Sequence, residues 1–176
     1  IPEESKGHTI YGYDIDENVK HSISIKKLNY KEKGAADLLK NSKIKLVKLQ
    51  ELVENSELIF VAIQTPHEKE FEGITRIPNQ RKDFIYDYLV KGLKDISLIL
   101  DKIKKKKTVV IISTVLPGTI NNTIKPILSR HVNLCYNPLF IAMGTTINDF
   151  LFSEMILIGS ENKEATKNLE NFYRTI

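Results

Sequence analysis

An α/β fold built on a doubly wound parallel sheet is expected here on two grounds. The clearest strand candidates in this 176-residue chain, residues 58–63 and 108–112, are apolar or β-branched throughout, without alternation, as strands covered on both faces are. They also alternate with stretches of helical period, the order that makes parallel strands linked by helical crossovers.

Taken in order, residues 1–6 read as the tail of a helix, with Gly7 as the cap that turns the chain into a strand over 9–13. That strand is rich in β-branched and aromatic residues and stops at Asp14 and Asp16. Residues 17–33 show no clear period; helix formers follow over 35–40, then a short strand at 45–47 and one or two helical turns over 49–55. The apolar strand 58–63 closes on Gln64-Thr65-Pro66, where proline ends the ladder. Residues 67–82, with Gly73 and Pro78, form an unusually long loop, of the kind that tends to carry function or disorder. Asp83 is expected to cap a long helix whose apolar positions Ile85, Leu89, Leu93, Ile96, Leu100 and Ile103 step by three or four. After the strand 108–112 come Ser113-Thr114, a turn over 115–118, a cap at Thr119 and a helix marked by Ile120, Ile124 and Ile127 that Pro126 must interrupt. A strand over 132–136 stops at Asn137-Pro138. A last apolar run, 155–158, closes on Gly159, and an amphipathic helix spans 163–173.

The hydrophobic share of 41% and charged share of 27% are those of an ordinary globular chain, and the length suits one domain. The sequence contains no apolar run of eighteen residues and no leader pattern, so no membrane partner is expected and the chain reads as cytoplasmic. The 26 basic and 22 acidic residues are scattered, which argues against a nucleic-acid partner; the one dense basic run, Lys104-Lys105-Lys106-Lys107, reads as a solvated turn. Cys135 is the only cysteine, set among apolar neighbours with no cation to lower its pKa, and reads as a small core residue rather than a nucleophile. His8, His21, His67 and His131 lack ligand spacing, so no metal is expected.

In a doubly wound sheet the ligand sits outside the carboxyl ends of the strands. Those ends carry Asp14, Gln64-Thr65, Ser113-Thr114 and Asn137-Pro138, all small or polar. An acid at the end of the second strand of a dinucleotide-binding sheet accepts hydrogen bonds from the adenosine ribose hydroxyls, which makes Asp14 the first candidate for a cofactor contact. An acid there also repels a 2'-phosphate, and no arginine follows closely, which favours NAD over NADP. Asp14 reads also as a turn-capping acid, the lesser reading given the strand before it, and Asp16 competes for the ribose. Thr65 reads either as a groove residue or as the end of a strand before proline, Thr114 as a site residue or the start of a turn. Ser113 reads as a backbone-bonding residue, and Asn137 as a holder of the loop that follows.

Four blocks in order at these strand ends give the chain its resemblance. They are Gly7-His8-Thr9-Ile10-Tyr11-Gly12-Tyr13-Asp14-Ile15-Asp16, Ile63-Gln64-Thr65-Pro66, Ser113-Thr114-Val115-Leu116-Pro117-Gly118-Thr119, and Asn137-Pro138 running to Asp149. Over nearly its whole length the chain resembles the N-terminal, Rossmann-like NAD-binding domain of the UDP-glucose/GDP-mannose (nucleotide-sugar) 6-dehydrogenase family. The resemblance implies that Asp14 binds the adenosine ribose of NAD and that Thr65 lines the groove near the pyrophosphate and nicotinamide ribose. It also implies that Ser113 and Thr114 stand in the cofactor site, with Thr114 the catalytic threonine that helps position a water. It further implies a nucleotide-sugar substrate oxidised twice at C6 with two NAD, through a thiohemiacetal and then a thioester on a cysteine of a later domain. A homodimer through a downstream helix is implied as well.

The chain departs from the family where Asn137-Pro138-Leu139-Phe140-Ile141-Ala142-Met143-Gly144 puts Leu139 and Met143 in place of two glutamates. A leucine and a methionine cannot accept a proton, so another group does that work, the second oxidation differs, or the substrate differs. A dehydrogenase of the β-hydroxyacid type, which starts with the same sheet, is the alternative among enzymes. A nucleotide-binding module without redox chemistry is the alternative outside them.

The fold also implies parts that this sequence lacks: a first strand and a glycine-rich turn that carries the pyrophosphate at a helix N-terminus. In the usual order that strand lies between the strands 9–13 and 58–63, and without it both lose their common neighbour. The expectation is a longer protein, with about two dozen or more residues upstream, as a βαβ unit requires, and a dimerisation helix and nucleotide-sugar-binding domain downstream.

Overall fold

The computed structural model describes residues 7–72, 76 and 79–176. The helix tail expected over residues 1–6 lies outside these residues, as does part of the long loop. Gly7, at φ +86°, turns the chain into β1 (Tyr11–Gly12). The helix α1 (Glu17–Ser24) forms where no period was evident, because Asp16 accepts from the Asn18 backbone N–H and supplies its N-cap. Next come α2 (Ala35–Asn41), β2 (Lys45–Leu46), α3 (Leu49–Asn55) and β3 (Leu58–Val61). The helix α4 (Asp87–Ile103) starts three residues later than expected, after Tyr86 rather than after Asp83. Asp83 caps no helix; it bonds the Phe84 N–H and the Tyr86 hydroxyl instead.

The strand β4 (Lys107–Ile111) is buried from end to end. After it, the segment marked by isoleucines is a single π turn, Ile120–Ile124, followed by a 3-10 turn, Lys125–Ile127, because Pro126 removes a helical donor. The strand β5 (Val132–Tyr136) leads to α5 (Thr146–Leu151), which the sequence reading did not foresee, and α6 (Lys163–Tyr173) closes the chain. Residues 155–158 form no strand: only Gly159 bridges to Tyr136, antiparallel, and Met155, Ile156 and Leu157 stay about half exposed.

All strand pairings are parallel, but they fall into two sheets, β1–β2 and β3–β4–β5. Odd-numbered residues of β3 and β4 face one core, where Ile59, Val61, Val109 and Ile111 meet Val53 of α3 and Leu89, Leu93, Ile96 and Leu100 of α4. Burying each such side chain stabilises by roughly 1.5–3 kcal/mol, which is why α4 keeps its apolar stripe. On the other face Val110 and Cys135 meet Ala165 and Leu169 of α6. Lys107 is buried at the root of β4 because Glu57 meets its ammonium at 2.7 Å.

Between β1 and β3 no strand lies among the described residues. Phe172 of α6 reaches both sides of the gap, its ring 5.5 Å from that of His8 and 5.2 Å from that of Phe60. Phe60 is 37% exposed between Ile59 and Val61, which are 4% exposed. The two-plus-three grouping is the one left by a doubly wound sheet when its central strand is not among the described residues.

Candidate functional site

The carboxyl ends of β3 and β4 are tied together by short polar bonds. The Thr65 hydroxyl donates to the Thr114 carbonyl at 2.7 Å, and the Ser113 hydroxyl and N–H both reach the Val61 carbonyl at 3.3 Å. Ser113 is therefore buried and spent on the sheet, whereas Thr114 is exposed. Among the described residues no hydrogen bond engages the Thr114 hydroxyl, so it is available to a ligand.

Asp14 stands at the end of β1, in the other sheet. One of its oxygens accepts the Asp16 N–H at 2.8 Å and closes a small turn; the other has no hydrogen-bond partner among the described residues. Asp16 is committed to the cap of α1, which leaves Asp14 the freer carboxylate. A ribose diol needs an exposed acceptor at this place, so the ribose half of an NAD site fits. The phosphate half, a glycine-rich turn, is not found in the sequence.

Asn137 ends β5 fully buried. Its backbone N–H reaches the Ile111 carbonyl at 2.9 Å, its side-chain amide donates to the Leu157 carbonyl at 2.8 Å, and its oxygen accepts from the Tyr173 hydroxyl. It thus anchors the 137–157 segment at the far end as well as the near one. Leu139 lines an apolar cavity of about 460 Å³ with Ile10, Ile23, Leu38 and Phe150, and Met143 is fully exposed, so neither stands in for a glutamate. Asp149 is no free base either: bonds from the Ala142 N–H and the Thr145 hydroxyl hold its carboxyl below the ordinary range. Burial pushes the Cys135 thiol up, against a hydrogen bond with Ser160, and keeps it unreactive.

Two groups escaped the sequence reading. Glu32 braces the segment before α5 through the N–H groups of Gly144 and Thr146; a lone glutamate in an aperiodic stretch gives no signal for that. Tyr86 bonds Asp83, Leu116 and Thr119; the spacing of Asp83 and Tyr86 was visible but had been absorbed into a helix.

Among the described residues no helix is long and apolar enough to cross a membrane. The chain is 25% identical over 185 aligned residues to GDP-mannose 6-dehydrogenase of Pseudomonas aeruginosa, covering 98% of this chain and 40% of that protein. It is 27% identical over 179 residues to UDP-glucose 6-dehydrogenase of Rickettsia conorii, covering 95% of this chain and 37% of that protein. The crystal structure of a ternary complex of GDP-mannose dehydrogenase from Pseudomonas aeruginosa superposes with a TM-score of 0.84 at 25% identity, over 98% of this chain and 40% of that one. The chain thus spans about two fifths of the length of these relatives. The model of the UDP-glucose/GDP-mannose dehydrogenase family's NAD-binding domain matches residues 3–176, and the chain belongs to that family.

Proposed function

We propose that this chain is the NAD-binding domain of a longer nucleotide-sugar 6-dehydrogenase, which oxidises the C6 alcohol of a UDP- or GDP-sugar. The observation that carries this reading is the pair of available polar groups at strand ends: the outer oxygen of Asp14, and the Thr114 hydroxyl on a turn tied to Thr65. Family membership supports NAD as the cofactor. When bound, NAD supplies the hydride acceptor. Asp14 accepts hydrogen bonds from the adenosine ribose hydroxyls, Thr65 lines the groove by the pyrophosphate and nicotinamide ribose, and Ser113 braces the wall on which both threonines stand. Thr114 positions a water near the reacting carbon. An upstream strand with a glycine-rich turn supplies the phosphate contacts, and downstream parts supply the nucleotide-sugar site and a helix that pairs two copies. The enzyme works in the cytoplasm, and its sugar-acid product suits polysaccharide biosynthesis.

The test is NADH formation by the purified full-length protein with a panel of UDP- and GDP-sugars. NADH with at least one sugar is expected. None with any of them would overturn the enzyme reading, and NAD binding measured by calorimetry without turnover would favour a binding module instead.

A further inference from the structure

We infer that Tyr86 is a positioning residue for the candidate site, its hydroxyl holding the 114–119 turn in place while Asp83 orients that hydroxyl. The inference rests on the reading of that turn as part of the NAD site. Tyr86 precedes α4 and lies far from the turn in sequence, yet its phenol oxygen accepts from the Leu116 N–H at 3.1 Å and from the Thr119 hydroxyl at 3.1 Å. The phenol proton goes to Asp83 at 2.5 Å. A phenol has one proton to give and two lone pairs to receive, so all three are used and the oxygen has one orientation. Thr119 is buried, so its hydroxyl has little water to turn to if Tyr86 is cut back.

The turn is thereby clamped twice. Thr65 holds it at the Thr114 carbonyl, from the end of β3, and Tyr86 holds it two residues on and again at Thr119. The Ile85 N–H, donating to the Pro66 carbonyl at 2.7 Å, ties Tyr86's own segment back to the end of β3. Thr114, Thr65 and Tyr86 therefore share one frame, and loosening Tyr86 lets Thr114 move relative to Thr65. Burial and the bond to Asp83 push the Tyr86 phenol above the ordinary tyrosine range, so it keeps its proton at neutral pH.

The test compares Tyr86→Phe, Asp83→Ala and Asp83→Asn in the full-length protein, by peptide-level amide exchange and by NADH formation. Tyr86→Phe keeps the ring and removes the acceptor of both the Leu116 N–H and the Thr119 hydroxyl, so exchange in the peptide over 115–119 should rise at least about tenfold, the worth of one net hydrogen bond or more. kcat should fall by a similar factor, with the KM for the nucleotide sugar within about twofold, because the turn and not the sugar site is disturbed. Asp83→Ala should follow Tyr86→Phe; Asp83→Asn, whose amide oxygen still accepts the phenol proton, should recover most of the loss. Wild-type exchange over 115–119 in Tyr86→Phe would overturn the inference, whatever the turnover. Faster exchange with unchanged kcat would overturn the role in the site. Asp83→Asn falling with Asp83→Ala would overturn the part given to Asp83. If the wild-type protein forms no NADH with any sugar, the enzyme reading fails, and the exchange arm still decides whether Tyr86 holds the turn.

Discussion

Replacing Asn137 by alanine removes two side-chain bonds from a fully buried position at the end of β5. The Leu157 carbonyl, on a half-exposed residue, recovers water; the hydroxyl of half-buried Tyr173 does so only in part. One bond lost at its net worth and one lost with a desolvated partner come to about 2–4 kcal/mol. For a domain of this size that is a fall of roughly 5–15 °C in Tm. Tyr173→Phe leaves the Asn137 oxygen buried without its donor and should cost about 1–3 kcal/mol. The two groups meet each other, so the double variant should cost less than the sum, by at least about 0.5 kcal/mol. Thermal and urea unfolding of the four proteins measure this cycle. A Tm for Asn137→Ala within a degree or so of wild type, or strictly additive losses, would refute the view that this pair pins the 137–157 segment to α6.

Asp14→Ala should weaken NAD binding about ten- to a hundredfold by calorimetry on the full-length protein, the loss of a charge-assisted bond worth about 1.5–3 kcal/mol, with Tm little changed because the half-buried residue makes only one local bond, to the Asp16 N–H. Glu57→Gln leaves the buried Lys107 ammonium without its counter-charge and should destabilise by up to about 3 kcal/mol in urea, whereas Lys107→Met should be close to neutral. Cys135 should resist alkylating reagents until the protein unfolds, so modification at the native rate of an exposed thiol would contradict its burial.

The sheet was legible because its strands carry their burial in their composition. Residues 108–112 can only be apolar or β-branched on both faces if both are covered, and β4 forms over Lys107–Ile111, buried from end to end. The helices α3 and α6 were legible for the same reason, through one apolar stripe each. What escaped depends on contacts that no local pattern encodes. The helix α1 buries no residue and is held by its cap, so it has no period to read. The start of α4 was misplaced because Asp83 has the chemistry of a cap, but its carboxylate finds the Tyr86 hydroxyl first. The apolar run 155–158 has a strand's composition and no strand's neighbours: the Leu157 carbonyl is taken by Asn137, and among the described residues the backbone bridge to β5 comes after the run, at Gly159. In the site, Thr65 and Thr114 could be placed at strand ends, but the bond between them, and the third party Tyr86, come from residues decades apart in sequence.

The two sheets argue for the proposed upstream unit from two directions at once. Parallel neighbours bond through alternate residues, so β3, which turns Glu57 and Val61 toward β4, presents Leu58, Phe60 and Ala62 to its other side. A strand inserted there would find a matching parallel edge on β1, whose Ile10 and Gly12 carbonyls already serve β2. Phe60 makes the second argument. Its face of the sheet is covered at β4 and β5 by α6, whereas Phe60 on β3 meets the ring of Phe172 and stays 37% exposed in mid-strand. A right-handed crossover from a central strand to β1 lays its helix on the face used by the next crossover, that of α1 and α2 beside Ile10. One strand and one helix would thus pair both bare edges and cover Phe60, and the turn between them would sit at the carboxyl end of the sheet, beside Asp14, where the phosphates of the dinucleotide must lie.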